Sequence, residues 1–96
     1  NRVLSSKEAL DWGLINRVVN DEDVITETNK LAMKIAKGPT KAFGGVKEML
    51  RQSFSNGLET QMELESQIFS EQLKSVDGPE GIEAFTSKRK PEFKGK

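Results

Sequence analysis

The sequence has 96 residues, of which 34% are hydrophobic, and its 15 basic and 15 acidic residues give a formal net charge of zero. This length suffices for one small domain with a modest core, and the balanced charge provides no overall field to attract nucleic acid or anionic lipid. Cysteine and histidine are both absent, which excludes disulfides, thiolate or imidazole zinc sites and a Ser-His-Asp triad.

Two features of the chain concern membrane insertion and whether the sequence is a fragment. No apolar run approaches the roughly 20 residues of a membrane-spanning helix, and no signal-peptide pattern follows Asn1. We therefore expect no membrane partner. The first four residues, Asn1 to Leu4, resemble the middle of a domain, which indicates a fragment.

The N-terminal part predicts one short helix and one short β-prone stretch. A capping-box pattern, with Ser5 at the cap and Glu8 three residues later, predicts a helix over about residues 6–12 that Gly13 ends in a left-handed conformation. Residues 14–19 then favour extended structure, but they are too few to form a sheet alone.

Two longer helices are predicted next, over about residues 21–37 and 40–53. Gly44 and Gly45 lie inside the second of them, where each costs about 1 kcal/mol relative to alanine. The pair therefore indicates either a close helix approach or a weak point. The apolar residues that we expect this helix to bury are Phe43, Val46, Met49, Leu50 and Phe54.

The longest helix is predicted after Gly57, where apolar residues recur at helical spacing. Glu65 lies on the same stripe, so that turn must be open to water or supply the carboxylate with a partner. Leu64 and Ile68 widen the apolar surface to one side. The main stripe consists of Leu58, Met62, Phe69, Leu73 and Val76.

A last short helix is predicted from a second capping box, in which Asp77 is the cap and Glu80 follows three residues later. We expect Ile82 and Phe85 to face inward and Pro91 to prevent any helix beyond about Lys90. The predicted fold class is therefore mainly α. Residues 1–90 form its helical region, and residues 91–96 form an extended basic tail.

Three segments resemble the enoyl-CoA hydratase/isomerase (crotonase) family. They are EALDWGLINRVV at residues 8–19, KGPTKAF at residues 37–43, and EGIEAF followed by KRKP and FKG within residues 80–95. The resemblance covers the whole chain but only about the last third of a complete family member. It implies the C-terminal helical, trimerisation region of a crotonase-like fold.

The resemblance also implies a function. For this protein we expect a cytoplasmic enzyme. Family members bind an acyl-CoA thioester and stabilise its enolate with two backbone amides, whose loops, like the acid/base carboxylates, precede the position of Asn1. We therefore expect no catalytic residue in this chain, no metal, and no cofactor other than the coenzyme A thioester that serves as substrate. The hydratase, isomerase or lyase chemistry of fatty acid metabolism would belong to a complete protein.

Three residues match family positions near the ligand. Lys88 is expected at the adenosine-phosphate end of coenzyme A, where a compact ammonium suits an exposed phosphate, and Phe85 is expected beside the same ligand. Phe69 is expected to line the acyl pocket. The family also implies a homotrimer or a hexamer built through these helices.

Other functions remain open from the residues alone. The chain could be a self-sufficient helical interaction module without an acyl-CoA role. The run from Lys88 to Lys90 could bind an anionic polymer, although bases without interleaved aromatic residues are a poor nucleic-acid signature. Glu59 and Glu63 lie one helical turn apart, but solvated side chains are a simpler interpretation than a carboxylate pair for catalysis.

Overall fold

The chain, in a computed structural model that describes residues 1–96, is helical and contains no β-strand. A 3₁₀ turn at Asp21–Asp23 precedes the second of five α-helices. The mainly α prediction is confirmed, and residues 14–19 adopt no regular structure because no strand is available to pair with them. The helices are α1 (Ser6–Asp11), α2 (Val24–Ala36), α3 (Thr40–Ser53), α4 (Leu58–Leu73) and α5 (Asp77–Thr86).

The chain forms two compact units, residues 1–31 and residues 32–96, with the boundary inside α2. In the first unit the predicted capping box is present, since Ser5 Oγ accepts the Glu8 N–H at 3.2 Å and the Glu8 carboxylate accepts the Ser5 N–H at 3.0 Å. Gly13 follows the helix with φ +72°, as predicted. The Arg2 guanidinium bonds to Glu8 at 2.9 Å and lies 5.4 Å from the Trp12 ring centroid.

In the second unit α3 packs against α4, and α4 packs against α5. The α3–α4 contact explains one glycine of the predicted pair. A Cβ atom built on Gly45 would lie 2.8 Å from Ile68 Cγ2, whereas one built on Gly44 would meet nothing within 4 Å. Gly45 therefore permits a close approach of the two helices, and Gly44 is not required for it.

The face of α4 that α3 covers differs from the predicted apolar stripe. The half-buried positions of α4 are Gln61, Leu64, Ile68 and Gln72. The stripe stays open, with Leu58 75% and Phe69 64% exposed. The cause is the register of the α3 contact, which runs along the adjacent line of residues. Glu65 is exposed and accepts a hydrogen bond from Gln61 at 3.0 Å, which supplies the partner that its position required.

The second unit has very little apolar core. Ala84, 2% exposed, is its buried hydrophobic residue. The predicted burial of Phe54 and Leu50 on α3 is wrong, because they are 94% and 60% exposed, and the predicted inward orientation of Phe85 on α5 is wrong as well, at 85% exposed. These side chains have no helix of this chain to pack against.

The start of α5 departs from the predicted capping box. The Asp77 side chain makes no cap, and instead its carboxylate accepts the N–H groups of Lys94 and Gly95, both at 2.7 Å. The hydroxyl of Ser75, one residue before the N-cap residue Val76, accepts the Gly78 N–H at 3.0 Å. The prediction was wrong because a distant part of the chain competes for the Asp77 carboxylate.

The segment after α5, residues 88–96, returns along this helix to its first turn. The carbonyl oxygen of Lys96 accepts the N–H groups of Val76 and Asp77 at 2.8 and 3.2 Å. Asp77 itself is 5% exposed. We call residues 88–96 the C-terminal segment; its division from the rest at residue 91 remains a prediction. None of the helices combines the length and apolar character needed to cross a lipid bilayer.

Candidate functional site

The residues expected at the ligand lie in two places, and the first is a groove between α3 and α4. The groove has a volume of about 550 Å³ and is lined in part by Phe69 and by Glu65, whose carboxylate has a hydrogen-bonding partner on its own helix. No residue of α5 contributes to it. Its walls are mostly apolar, so it suits an apolar guest rather than a charged one. The groove is lined by Ala42, Val46, Met49, Glu65, Ser66, Ile68, Phe69 and Gln72.

The second place is the C-terminal end of α5, where Phe85 and Lys88 come together. The Lys88 N–H donates to the Phe85 carbonyl at 3.2 Å, and the Arg89 N–H donates to the Ala84 carbonyl at 3.0 Å. Lys88 has φ +53° and is the one residue other than glycine with a positive φ. This is the Schellman pattern, in which a left-handed residue ends a helix. The pattern fixes the backbone of Lys88 relative to that of Phe85.

Of the three basic side chains at this helix end, Arg89 forms ion pairs and its two neighbours do not. Arg89 donates to both carboxylate oxygens of Glu80, at 2.7 and 2.9 Å, and lies 3.5 Å from Glu83. Lys88 and Lys90, on either side of Arg89, form no ion pair within 4.0 Å. The ammonium groups of this basic run are therefore the charges available to an incoming anion.

The environment of Glu80 stabilises its charged form. The Arg89 guanidinium, together with the Glu92 N–H at 2.8 Å, lowers the pKa of the Glu80 carboxyl from 4.5 to about 2. The hydrogen bonds from Arg89 to Glu80 raise the pKa of Arg89 above its already high ordinary value. The pair is therefore charged on both sides at every pH at which the protein would be used.

The sequence carries no local signal for this ion pair. Glu80 lies in the first turn of α5 and Arg89 follows nine residues later, beyond the end of the helix, and the reversal of the chain at Lys88 brings them together. The structure brings only two of the three predicted site residues close to one another. Phe85 and Lys88 share one helix end, and Phe69 lies in the groove beside α3.

Other acidic side chains form no assembly that suggests chemistry. Glu63 accepts from Gln67 at 2.8 Å within its own helix. No group of three aspartate, glutamate, histidine or cysteine side chains is arranged to hold a metal ion. These acids therefore add no ligand position to the helix end and the groove.

A sequence model of the enoyl-CoA hydratase/isomerase family matches residues 1–96 of the chain. The chain belongs to the enoyl-CoA hydratase/isomerase family. Within this family the chain is 38% identical over 93 residues to 1,2-epoxyphenylacetyl-CoA isomerase from Escherichia coli K12, covering 97% of the chain and 36% of that protein. It is 40% identical over 93 residues to the probable enoyl-CoA hydratase from Bacillus subtilis 168, covering 96% of the chain and 36% of that protein.

The helices also match those of solved hydratase structures. The crystal structure of enoyl-CoA hydratase subunit I from Geobacillus kaustophilus superposes with a TM-score of 0.89 at 39% identity, over 97% of this chain and 36% of that one. The chain therefore spans about a third of the length of the relatives that it matches. This agreement confirms the crotonase-like C-terminal helical region that was expected from the sequence.

Proposed function

We propose that this chain supplies part of the ligand-binding surface of an acyl-CoA enzyme of the hydratase/isomerase type. The observation that carries the proposal is the pair of side chains at the C-terminal end of α5. There an unpaired ammonium, Lys88, follows three residues after a phenyl ring, Phe85, that is 85% exposed. An adenine nucleotide offers a flat base and phosphate groups, which suit an aromatic ring and a nearby cation.

The groove between α3 and α4 is the proposed position of the acyl chain. Phe69 is 64% exposed within it, so its ring is accessible to a guest. The lining is mainly aliphatic and aromatic, which favours a hydrocarbon over a polar group. In this proposal Phe69 contacts the acyl part, and Phe85 and Lys88 contact the coenzyme A part.

The proton-transfer chemistry would be performed by groups outside these residues. Stabilising a thioester enolate requires preorganised hydrogen-bond donors at its oxygen and a carboxylate positioned near the α-carbon. The present residues include no histidine, and their acids at the two candidate positions are occupied by Arg89 and by Gln61. The 96-residue chain should therefore turn over no crotonyl-CoA.

A second part of the proposal concerns assembly into a homotrimer or a hexamer. The exposed apolar stripe of α4, together with Phe54 and Leu50 on α3, supports such an assembly because isolated soluble proteins rarely leave large apolar patches open to water. Sedimentation velocity over a range of concentrations tests this part. A monomer at every concentration would contradict it.

Ligand binding can be tested by titrating the isotopically labelled 96-residue chain with coenzyme A and following its amide resonances. Even an affinity of about 1 mM, which corresponds to about −4 kcal/mol, is measurable in this way. We expect the largest shifts at Phe85, Lys88 and their neighbours. A sharply cooperative monomer whose resonances do not respond would instead favour the self-sufficient interaction module.

A further inference from the structure

The backbone of Lys88 is in a conformation that rarely suits lysine. Its φ of +53° lies in the left-handed region, where the Cβ atom of an L-residue crowds the following carbonyl and where helices usually place glycine. Helix termination alone does not account for the choice, because glycine would end α5 without this crowding. A strained residue other than glycine is often retained for its side chain, which here is a cation.

The residues that follow Lys88 are held by one carboxylate of α5. Glu80, on α5, accepts two hydrogen bonds from Arg89, which directly follows Lys88, and one from the Glu92 N–H. The side chains of Glu80 and Arg89 are only 22% and 38% exposed, so the pair is partly shielded from water. The two parallel bonds of a guanidinium to a carboxylate fix orientation as well as distance.

The C-terminal segment is fastened a second time beyond this point. Asp77 accepts the N–H groups of Lys94 and Gly95, and it is 5% exposed. The chain after Lys88 is therefore tied to α5 at Glu80 and again at Asp77. Apart from these ties, the backbone–backbone hydrogen bonds of residues 88–96 are the two of the Schellman pattern and the two that the Lys96 carbonyl accepts from Val76 and Asp77.

The ion pair also makes the two neighbouring cations, Lys88 and Arg89, differ in their availability to an anion. Arg89 is engaged by Glu80 and Glu83, whereas Lys88 has no carboxylate within 4.0 Å of its ammonium nitrogen. A guanidinium locked to two acids is a poor partner for a further anion. An ammonium next to it, on a backbone that the lock immobilises, loses less freedom when it binds a phosphate.

We propose that Glu80 and Arg89 are positioning residues that hold Lys88 in its left-handed conformation, so that its ammonium meets the ribose phosphate of a coenzyme A ligand. This inference rests on the proposed function, because it assigns the phosphate contact to Lys88. It adds that the contact depends on an ion pair that does not touch the ligand. It also explains why lysine stands where glycine would be more stable.

The test measures the affinity of the 96-residue chain for coenzyme A and for dephospho-coenzyme A, which lacks the ribose phosphate. We expect the unmodified chain to prefer coenzyme A, and E80Q and R89K to reduce this preference about threefold while affinity for dephospho-coenzyme A is unchanged. A merely structural defect would instead lower the affinity for both ligands by the same factor. The control E59Q makes the same acid-to-amide change on exposed α4 and should leave both affinities unchanged.

A second measurement uses K88G. This substitution relieves the crowding and removes the ammonium, so it should raise the melting temperature by about 4 °C or more while abolishing the preference for coenzyme A. K90G, which removes a cation at a position without positive φ, should not raise the melting temperature. A lower melting temperature for K88G would overturn the inference.

The two proposals fail in different ways. If the unmodified chain binds coenzyme A no better than dephospho-coenzyme A, the proposed phosphate contact is wrong and the inference falls with it. If the unmodified chain shows the preference and E80Q retains it in full, only the positioning role is wrong. Backbone carbon shifts of Lys88 provide an independent readout, since we expect them to leave the left-handed range in E80Q.

Discussion

Gly45 of α3 and Ile68 of α4 approach so closely that a Cβ atom on the glycine would lie 2.8 Å from Ile68 Cγ2. The methyl group of Ile68 is part of a β-branched side chain, which has one strongly preferred rotamer in a helix and cannot easily turn away. The contact between the two helices is therefore set at this point by the absence of a side chain.

The first prediction compares alanine at adjacent glycines. G45A should be less stable than G44A by about 1–3 kcal/mol, because the added methyl group overpacks the α3–α4 contact. G44A should stabilise the protein by about 1 kcal/mol, since nothing lies within 4 Å of that position and alanine favours helix. Urea unfolding of both variants measures the difference. Equal stabilities would contradict the close approach.

The second prediction concerns the buried carboxylate of Asp77. D77A leaves the N–H groups of Lys94 and Gly95 without their acceptor and should destabilise the protein by about 1–3 kcal/mol. Amide hydrogen exchange at these two residues should accelerate strongly. Removing the exposed carboxylate of Glu59 by E59A should change neither quantity. Unchanged exchange in D77A would show that the C-terminal segment is held by other contacts.

The third prediction is a pH dependence. Because the pKa of Glu80 is about 2 in the folded chain and 4.5 ordinarily, its stabilising effect is complete above pH 4.5 and is lost as the pH falls towards 2. E80Q should therefore be less stable than the unmodified protein at pH 7, and its stability should fall less steeply between pH 4.5 and 2. Thermal unfolding across this range measures the slope.

Three other acids contribute to the same slope, so E80Q should reduce it without removing it. The pKa of Glu8 is lowered by the Ser5 N–H, that of Glu27 by Lys30 and that of Glu48 by Arg51. E59Q is the matched control and should keep the full slope. Identical slopes for E80Q and the unmodified protein would contradict the assigned pair.

The fourth prediction concerns the first helix. S5A removes the hydroxyl that accepts the Glu8 N–H and should cost about 1 kcal/mol in α1. S6A, one residue further on, makes no capping contact and should have little effect. Hydrogen exchange of the Glu8 amide reports on this helix separately from the rest of the chain. Equal exchange in S5A and S6A would rule out the capping box.

The sequence predicts local features well where the deciding contacts are local. Ser5 and Glu8 are three residues apart, and their capping box forms as predicted; the bounds of α3 also agree, because Pro39 and the glycine before it fix its beginning. Asp77 and Glu80 have the same spacing, yet their predicted box does not form. Their carboxylates bind groups up to 18 residues away, which no local pattern reveals.

The candidate site shows the same limit. The family resemblance directs attention to Phe69, Phe85 and Lys88, and their ligand contacts remain predictions. It gives no indication that α5 ends at a left-handed lysine, since the usual glycine signal is missing. The apolar spacing of α4 likewise identifies which residues are apolar but not which line of them α3 covers.

The anchoring of Lys96 affects how the protein should be engineered. Its carbonyl oxygen accepts the amides of Val76 and Asp77 at the first turn of α5, so the last residues close the helix that precedes them. An affinity tag or fusion partner joined directly after Lys96 would disturb these two hydrogen bonds. One joined ahead of Asn1, near the 92% exposed Val3, would be attached to a residue that makes neither of these hydrogen bonds.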